Sequence, residues 1–306
     1  MSIRIGLGLA GFPFSGPAAF FRWVDRCEAE GFDSLWLSER LVSSHLSLEP
    51  MTALAAIAGR TQHIKFGMNA VVLPLRDPLV LAKECATLDY LSDGRLLPVF
   101  GVGAETAPEF RATGQEPAGR GARSDEMLGI MTRLWSEEHV THEGRHYSYT
   151  DVTISPRPKQ QPLPVWIGGS SEAAIRRTAR VGTGWLAGLQ TPAQVKPVVA
   201  AIRAASAAAG RPLDDDHYGA GFAFRQGSWD DPAVARAATG LARIAPGVEP
   251  ADYLAVGDAA TVLSRVREYV DAGISKFVLR PVADGDEEMM EQTSWLAREV
   301  LPAIHG

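Results

Sequence analysis

The sequence predicts an α/β fold, a single (β/α)8 TIM barrel with insertions after the fourth and seventh strands. Short apolar segments of strand character alternate with longer segments of helical periodicity, which requires parallel strands and right-handed crossovers. Eight such units occur in 306 residues, a usual length for one barrel with insertions, and no linker divides them. We therefore expect one domain over residues 1–306, with a doubly wound open sheet as the alternative.

Each element is predicted from hydrophobic periodicity and from its boundary residues. Phe20, Val24 and Cys27 recur at helical spacing, for example, and Gly31 ends that helix. The predicted strands are residues 3–9, 34–37, 64–73, 96–100, 165–167, 184–187, 218–224 and 276–279. Helices follow the strands and include residues 52–60, about 122–137, 172–181 and about 192–209. Three segments depart from this pattern: a Gly/Pro-rich loop at 101–121, an extended excursion at 138–163 and a helical insertion at 230–256.

Composition restricts the classes of partner and the compartment. Lys and Arg number 30 and Asp and Glu 36, so the formal charge of −6 argues against nucleic acid as a partner. No apolar run is long enough to span a bilayer, and the N-terminus lacks the pattern of a signal peptide. Cys27 and Cys85 lie on apolar helix faces and are expected to be core thiols. We expect a cytoplasmic protein without membrane contact.

Gly168, Gly169, Ser170 and Ser171 form a turn between an apolar strand and a helix. Glycines let backbone N–H groups approach an anion, and the helix start adds free donors and a favourable dipole. The turn therefore suits the phosphate of a cofactor. The alternative is an ordinary strand–helix turn with a serine cap.

Gly101 and Gly103 begin the loop that follows the fourth strand. This loop belongs to the C-terminal face of the predicted barrel, where the active sites of such barrels are built. Arg280 ends the eighth strand and is expected to point into the same mouth, where an arginine usually meets an anion. A structural ion pair with an acidic loop is the alternative interpretation of Arg280.

Three longer blocks resemble the bacterial luciferase-like group of flavin- and deazaflavin-dependent oxidoreductases. The blocks are GMNAVVLPLRDPLVLAKECATLDYLSDGRLLPVFGVG at 67–103, RGARSDEMLGIMTRLW at 120–135 and PVWIGGSSEAAIRRTARVGTGW at 164–185. The similarity runs from residue 3 to about 188 and resumes at 254–281. It implies that the turn at 168–171 binds the cofactor phosphate. It also implies a cis peptide bond between Asn69 and Ala70 that supports the flavin ring, and a homodimer.

Two positions depart from the luciferase pattern. Ala104 stands where the luciferases have an arginine that holds the phosphate, and Arg40 stands where they have a catalytic histidine. His45, five residues later, is a candidate substitute for that histidine. Arg40 suits an anionic substrate or peroxide, and a surface ion pair with Glu39 is the alternative.

The resemblance implies oxidation–reduction of a small organic substrate. The favoured prediction is a monooxygenase that uses reduced FMN and O2; the alternatives are F420-dependent hydride transfer and a non-catalytic flavin-binding relative. A separate flavin or F420 reductase is a possible partner. Metal binding is not expected, because His139, His142 and His146 follow no common ligand spacing. The catalytic candidates are Arg40, His45, Asn69 and Arg280, and the cofactor-binding candidates are Asn69, Ala70, Gly101, Gly103, Gly168, Gly169, Ser170 and Ser171.

Overall fold

Parallel strands alternate with helices along residues 2–305, the part of the chain that the computed structural model describes. The strands are β1 (Arg4–Leu9), β2 (Ser34–Leu37), β3 (Lys65–Met68), β4 (Val71–Val72), β5 (Leu96–Leu97), β6 (Val99–Gly101), β7 (Val140–Glu143), β8 (Ser148–Val152), β9 (Trp166–Gly168), β10 (Gly184–Leu186), β11 (Tyr218–Ala220), β12 (Ala223–Gln226), β13 (Leu254–Gly257) and β14 (Lys276–Pro281). The helices are α1 (Pro17–Ala29), α2 (Pro50–Arg60), α3 (Pro78–Leu91), α4 (Pro108–Thr113), α5 (Arg120–Ser136), α6 (Glu172–Val181), α7 (Pro192–Ala208), α8 (Pro232–Ile244), α9 (Pro250–Tyr253), α10 (Ala259–Asp271), α11 (Gly285–Glu299) and α12 (Leu301–His305).

The sheet is parallel and curled. Its neighbours run in the order β4–β6–β9–β10–β11–β14–β1–β2–β3–β5, and β12 pairs with β13 and β14. The two ends of this series, β4 and β5, are each close in sequence to a strand near the other end, because β4 directly follows β3 and β6 directly follows β5. The α/β class is confirmed, with helices packed outside a curled parallel sheet.

A cluster of five apolar side chains fills the inside of the curled sheet: Trp36, Val99, Trp166, Leu186 and Val278. We call this cluster the lumen layer. Successive side chains of a strand point to opposite faces, so residues two positions away from these five also face the lumen. Along the strand direction, the lumen layer divides the lumen into two ends. One lies at the C-terminal ends of the strands and the other at their N-terminal ends.

The third predicted strand is interrupted in the structure. Residues 64–73 were expected to be continuous, but β3 ends at Met68, β4 begins at Val71, and a 3-10 helix covers Leu73–Leu75. The break lies at the cis peptide bond between Asn69 and Ala70. That bond was implied by the resemblance, and the structure contains it.

Two other predictions of local structure need correction. Residues 230–256 were expected to be a helical insertion, and α8 and α9 agree, but Leu254–Gly257 is the strand β13, which pairs with β12. The four residues are too few to show a strand period in the sequence.

The loop at 101–121 contains the short helix α4. The extended excursion at 138–163 holds the antiparallel hairpin β7–β8.

Cys27 and Cys85 are free and fully buried, as expected for core thiols. Burial raises the pKa of both thiols, so they stay protonated and unreactive. None of the helices formed by residues 2–305 is both long and apolar enough to cross a membrane.

Candidate active site

Three small residues from three strand ends meet at the C-terminal end of the lumen. A Cβ atom placed on Gly101 would lie 3.6 Å from Ala70 Cβ, and one placed on Gly168 would lie 3.7 Å from the same atom. Gly101 is two residues beyond Val99, and Gly168 is two residues beyond Trp166, so both face the lumen. These three positions therefore contribute almost no side-chain volume at the level above the lumen layer.

The turn after β9 joins this space to the start of α6. Gly169 has a φ of +98°, and its carbonyl oxygen accepts a hydrogen bond of 2.8 Å from Trp185 Nε1. Ser171 Oγ accepts a hydrogen bond from the backbone N–H of Ala174 at 3.2 Å, so this hydroxyl is the serine cap of the alternative interpretation. Ser170 is exposed and makes no side-chain hydrogen bond within residues 2–305. The turn keeps the free helix N-terminus and one free hydroxyl for an anion.

Asn69 presents a free amide beside the same space. Its backbone N–H donates to the carbonyl oxygen of Leu37 at 2.8 Å, which ties the interrupted strand to β2. Its half-buried side chain makes no hydrogen bond within residues 2–305. An amide offers donors and an acceptor, so Asn69 is available to a ligand ring or a substrate.

Glu39 fixes the segment that follows the cis bond. Its side chain is only 2% exposed, and Oε2 accepts a hydrogen bond of 2.6 Å from the backbone N–H of Val72. Oε1 pairs with Arg76, which also contacts Glu49 at 2.6 Å. The expected alternative for Arg40, an ion pair with Glu39, is therefore wrong, because Arg76 occupies that carboxylate. Arg40 is exposed and forms no ion pair within the described chain.

We predict that Glu39→Gln lowers the free energy of unfolding by about 2 kcal/mol, because it replaces the buried carboxylate that pairs with Arg76 by a neutral amide. Denaturant unfolding at fixed pH measures this change. Glu105→Gln is the matched control, since Glu105 is 70% exposed in its pair with Arg120, and its loss should be below about 0.5 kcal/mol. Equal stability of Glu39→Gln and wild type would show that this network does not hold the strand end.

The loop after β6 is held by an arginine that the sequence analysis did not single out. Arg120 Nε donates to the carbonyl oxygen of Gly103 at 3.3 Å, and its Nη1 lies 3.2 Å from Glu105. Gly103 has a φ of +70°, and a Cβ there would lie 2.8 Å from Val72 Cγ1, so glycine is required. Arg120 brings a cation close to the loop in which Ala104 replaces the luciferase arginine. The only signal for Arg120 in the sequence was its place at the start of the block at 120–135.

Arg280 and His45 line one cavity of about 620 Å³ at the C-terminal ends of β1 and β14. Arg280 Nη1 donates to Tyr253 Oη at 2.7 Å, and the guanidinium has no carboxylate partner within residues 2–305. The acidic ion pair suggested as the alternative for Arg280 is therefore wrong. Burial raises the pKa of Tyr253, with Arg280 opposing the shift, so the phenol is protonated at neutral pH.

The structure brings most of the predicted site residues to one end of the lumen. Arg280 is two residues beyond Val278 and faces the lumen on the same level as Gly101 and Gly168. Asn69, Ala70, Gly101 and Gly168 do not line the 620 Å³ cavity itself. The hairpin histidines lie elsewhere: His139 contacts Asp151, and His142 contacts Glu126.

Comparison with known proteins agrees with this arrangement. A family model described as luciferase-like monooxygenase matches residues 7–253. The chain belongs to the luciferase-like monooxygenase family. The match includes the cis bond, the loop after β6 and the turn before α6, and it confirms the resemblance inferred from the three sequence blocks.

The relatives of this luciferase-like protein include F420-dependent glucose-6-phosphate dehydrogenases. The one from Amycolatopsis mediterranei is 26% identical, and the alignment covers 95% of this chain and 96% of that protein. The one from Kineococcus radiotolerans is 31% identical over 56% of this chain, which spans about half, 52%, of that relative. An F420-dependent secondary alcohol dehydrogenase, solved with an F420–acetone adduct, has the same fold, with a TM-score of 0.85, full coverage of both chains and 18% identity.

Proposed function

We propose that this chain is an F420-dependent oxidoreductase that moves hydride between the deazaflavin and a small alcohol or carbonyl substrate. The meeting of Ala70, Gly101 and Gly168 beside the turn at 168–171 carries the proposal, because strand ends without bulky side chains would let a flat ring approach while the turn would bind its phosphate. The relatives named for F420 and the replacement of the luciferase arginine by Ala104 favour F420 over reduced FMN. A monooxygenase that uses reduced FMN and O2, favoured by the sequence alone, is the second candidate because of the family description.

The residues at this end of the lumen fit such a cofactor. Asn69 and Ala70 would support the ring, and Gly101 and Gly103 would let it approach the loop after β6. The N–H groups at the start of α6, with Gly169 and Ser170, would bind the phosphate. A side chain larger than glycine at 101 or 168 would fill the space beside Ala70, which is why small residues suit these positions.

We infer that the substrate carries an anionic group that binds to Arg280. A half-buried guanidinium whose partner is the neutral Tyr253 hydroxyl keeps donors free for a carboxylate or phosphate. Phe12 and Met289 line the same cavity and offer apolar contacts. Glucose 6-phosphate, named in the relatives, meets this requirement and is the first substrate to test.

His45 and Arg40 are assigned different tasks. Oxidation of an alcohol requires a group that accepts the hydroxyl proton, and the imidazole of His45 lines the cavity that contains Arg280. We infer that His45 accepts this proton in place of the histidine that Arg40 replaces. The exposed Arg40 then attracts anionic substrates at the rim.

Arg280→Met is expected to raise KM for an anionic substrate about tenfold, since one charge-assisted hydrogen bond is lost. Steady-state kinetics on paired anionic and neutral alcohols measure this effect, and the neutral alcohol serves as the internal control. Tyr253→Phe keeps the charge and should raise KM less than Arg280→Met. An equal loss on both alcohols would contradict an anion site at Arg280.

The cofactor is tested by equilibrium titration of the full chain with F420, FMN and reduced FMN under anaerobic conditions. We expect F420 to bind at about micromolar concentration and FMN at least about tenfold more weakly. Tight binding of reduced FMN alone, followed by oxidation of a substrate when O2 is admitted, would support the second candidate. Binding without turnover of any substrate would favour the non-catalytic flavin-binding relative, and binding of none would overturn the proposal.

Several finer predictions accompany this function. We propose that the curled sheet is a complete (β/α)8 barrel with insertions after the fourth and seventh strands, formed by one domain over residues 1–306. The homodimer, the cytoplasmic location and a separate reductase that supplies reduced cofactor stay predictions. Size-exclusion chromatography with light scattering tests the dimer directly.

A further inference from the structure

A second cavity, of about 600 Å³, lies at the N-terminal ends of the strands. The residues that line it include Arg4, Lys65, Trp166, His217 and Lys276. The candidate active site lies at the opposite ends of the same strands, on the other side of the lumen layer. This cavity is therefore a separate compartment that the proposed function does not use.

Strand geometry directs three cations into this compartment. Gly6 and Gly67 face the lumen, since a Cβ on either would come within 3.0 Å of Trp36. Arg4 and Lys65 precede them by two residues and face the same way. Lys276 likewise precedes the lumen-facing Val278 by two residues. Positive side chains that face one another in this way repel each other and destabilise the folded chain unless counter-ions lie nearby.

The described residues supply only part of this counter-charge. Lys276 pairs with Asp33, and Arg4 lies 3.7 Å from Asp216 at the rim. Lys65 is half-buried and forms no ion pair within residues 2–305. Burial lowers the pKa of Lys65 and the charge of Arg4 lowers it further, while the carboxylate of Asp216 raises it. A bound anion beside Lys65 would act in the same direction as Asp216 and favour the charged form of Lys65.

A neutral donor also lines the cavity. Trp166 is 4% exposed, and its indole N–H makes no hydrogen bond within the described chain although Trp166 lines the cavity. His217 supplies no free donor, because its Nδ1 donates to the carbonyl oxygen of Thr183 at 2.8 Å and its Nε2 lies 3.8 Å from Asp216. Asp214, Asp216 and His217 have the spacing of a metal site, but the guanidinium of Arg4 lies 3.7 Å from Asp216 and opposes a second cation there.

We propose that this N-terminal cavity binds a small molecule that carries a phosphate or carboxylate group, with Lys65 and Arg4 as its cations and the Trp166 indole as a further donor. The volume of about 600 Å³ exceeds that needed for inorganic phosphate alone, so a ligand with an organic body fits. Such a molecule would bind independently of the cofactor.

Isothermal titration calorimetry of the full chain with inorganic phosphate tests this site. We expect saturable binding in the wild type, at least about tenfold weaker binding in Lys65→Gln, and affinity within about threefold of wild type in Lys65→Arg. Lys196→Gln is the matched control, because Lys196 is exposed on α7 outside the cavity lining, and it should bind phosphate like the wild type. Thermal melting verifies that each variant is folded.

The turn at 168–171 is a second possible site for phosphate, so the titration is repeated with Ser170→Asp. The Lys65-dependent binding should persist in that variant. Undiminished phosphate binding in folded Lys65→Gln would overturn the proposal. So would the absence of saturation at about 10 mM phosphate in the wild type. Loss of binding in Ser170→Asp but not in Lys65→Gln would place the phosphate at α6.

Discussion

Ala70→Leu is expected to weaken cofactor binding at least about 100-fold while the chain still folds. Ala70 Cβ points toward the empty positions beside Gly101 and Gly168, where added Cβ atoms would lie 3.6 and 3.7 Å away. Three extra carbon atoms at Ala70 would occupy the space proposed for the ring, and a rigid ring has no alternative position. Titration with F420, followed by circular dichroism of the variant, measures the loss of binding and the retention of fold.

Two matched variants show whether Ala70→Leu weakens cofactor binding because its side chain fills the space of the ring. Ala70→Ser adds a single oxygen atom and should keep affinity within about fivefold of wild type. Gly168→Ala is compatible with the fold, because its Cβ meets ordinary van der Waals distances of 3.7 Å or more, yet it narrows the same space. We expect Gly168→Ala to bind the cofactor more weakly at unchanged stability. Normal binding by folded Ala70→Leu would mean that the ring lies elsewhere.

Much of the fold could be predicted because periodicity and boundaries are local properties of the chain. The strand at 34–37 and the helix at 172–181 have the predicted bounds, since apolar periodicity and flanking caps define both. Leu254–Gly257 was missed because its strand character depends on pairing with β12, a distant segment. A four-residue apolar segment in a helical context has no period of its own.

The candidate site was predictable where it depends on small residues and unpredictable where it depends on tertiary pairs. The glycines at strand ends and the cis bond lie within sequence blocks that share a family pattern. The pairs of Glu39 with Arg76 and of Arg280 with Tyr253 were not predictable, because the partners are separated by 37 and 27 residues and nothing local links them. Arg40 and Arg280 have the same charge, and only the structure shows that one is exposed while the other lies beside a buried phenol.

Ser170→Asp is expected to weaken cofactor binding about 50-fold, because it introduces a negative charge at the turn where the cofactor phosphate would bind. Ser170 is the right position for this change, since its hydroxyl makes no hydrogen bond within residues 2–305, whereas that of Ser171 caps α6. Ser170→Asn has nearly the same shape without the charge, so its affinity should stay within about threefold of wild type.

The dependence of cofactor affinity on salt distinguishes electrostatic repulsion from a change in the shape of the turn. Because salt screens an exposed charge, the difference in affinity between Ser170→Asp and Ser170→Asn should shrink as ionic strength rises from about 0.01 M to about 1 M. Equal weakening in both variants, or a difference that salt does not change, would mean that the turn is crowded rather than anion-binding. Unchanged affinity in Ser170→Asp would place the phosphate elsewhere, with the cation of Arg120 at the loop after β6 as the next position to test.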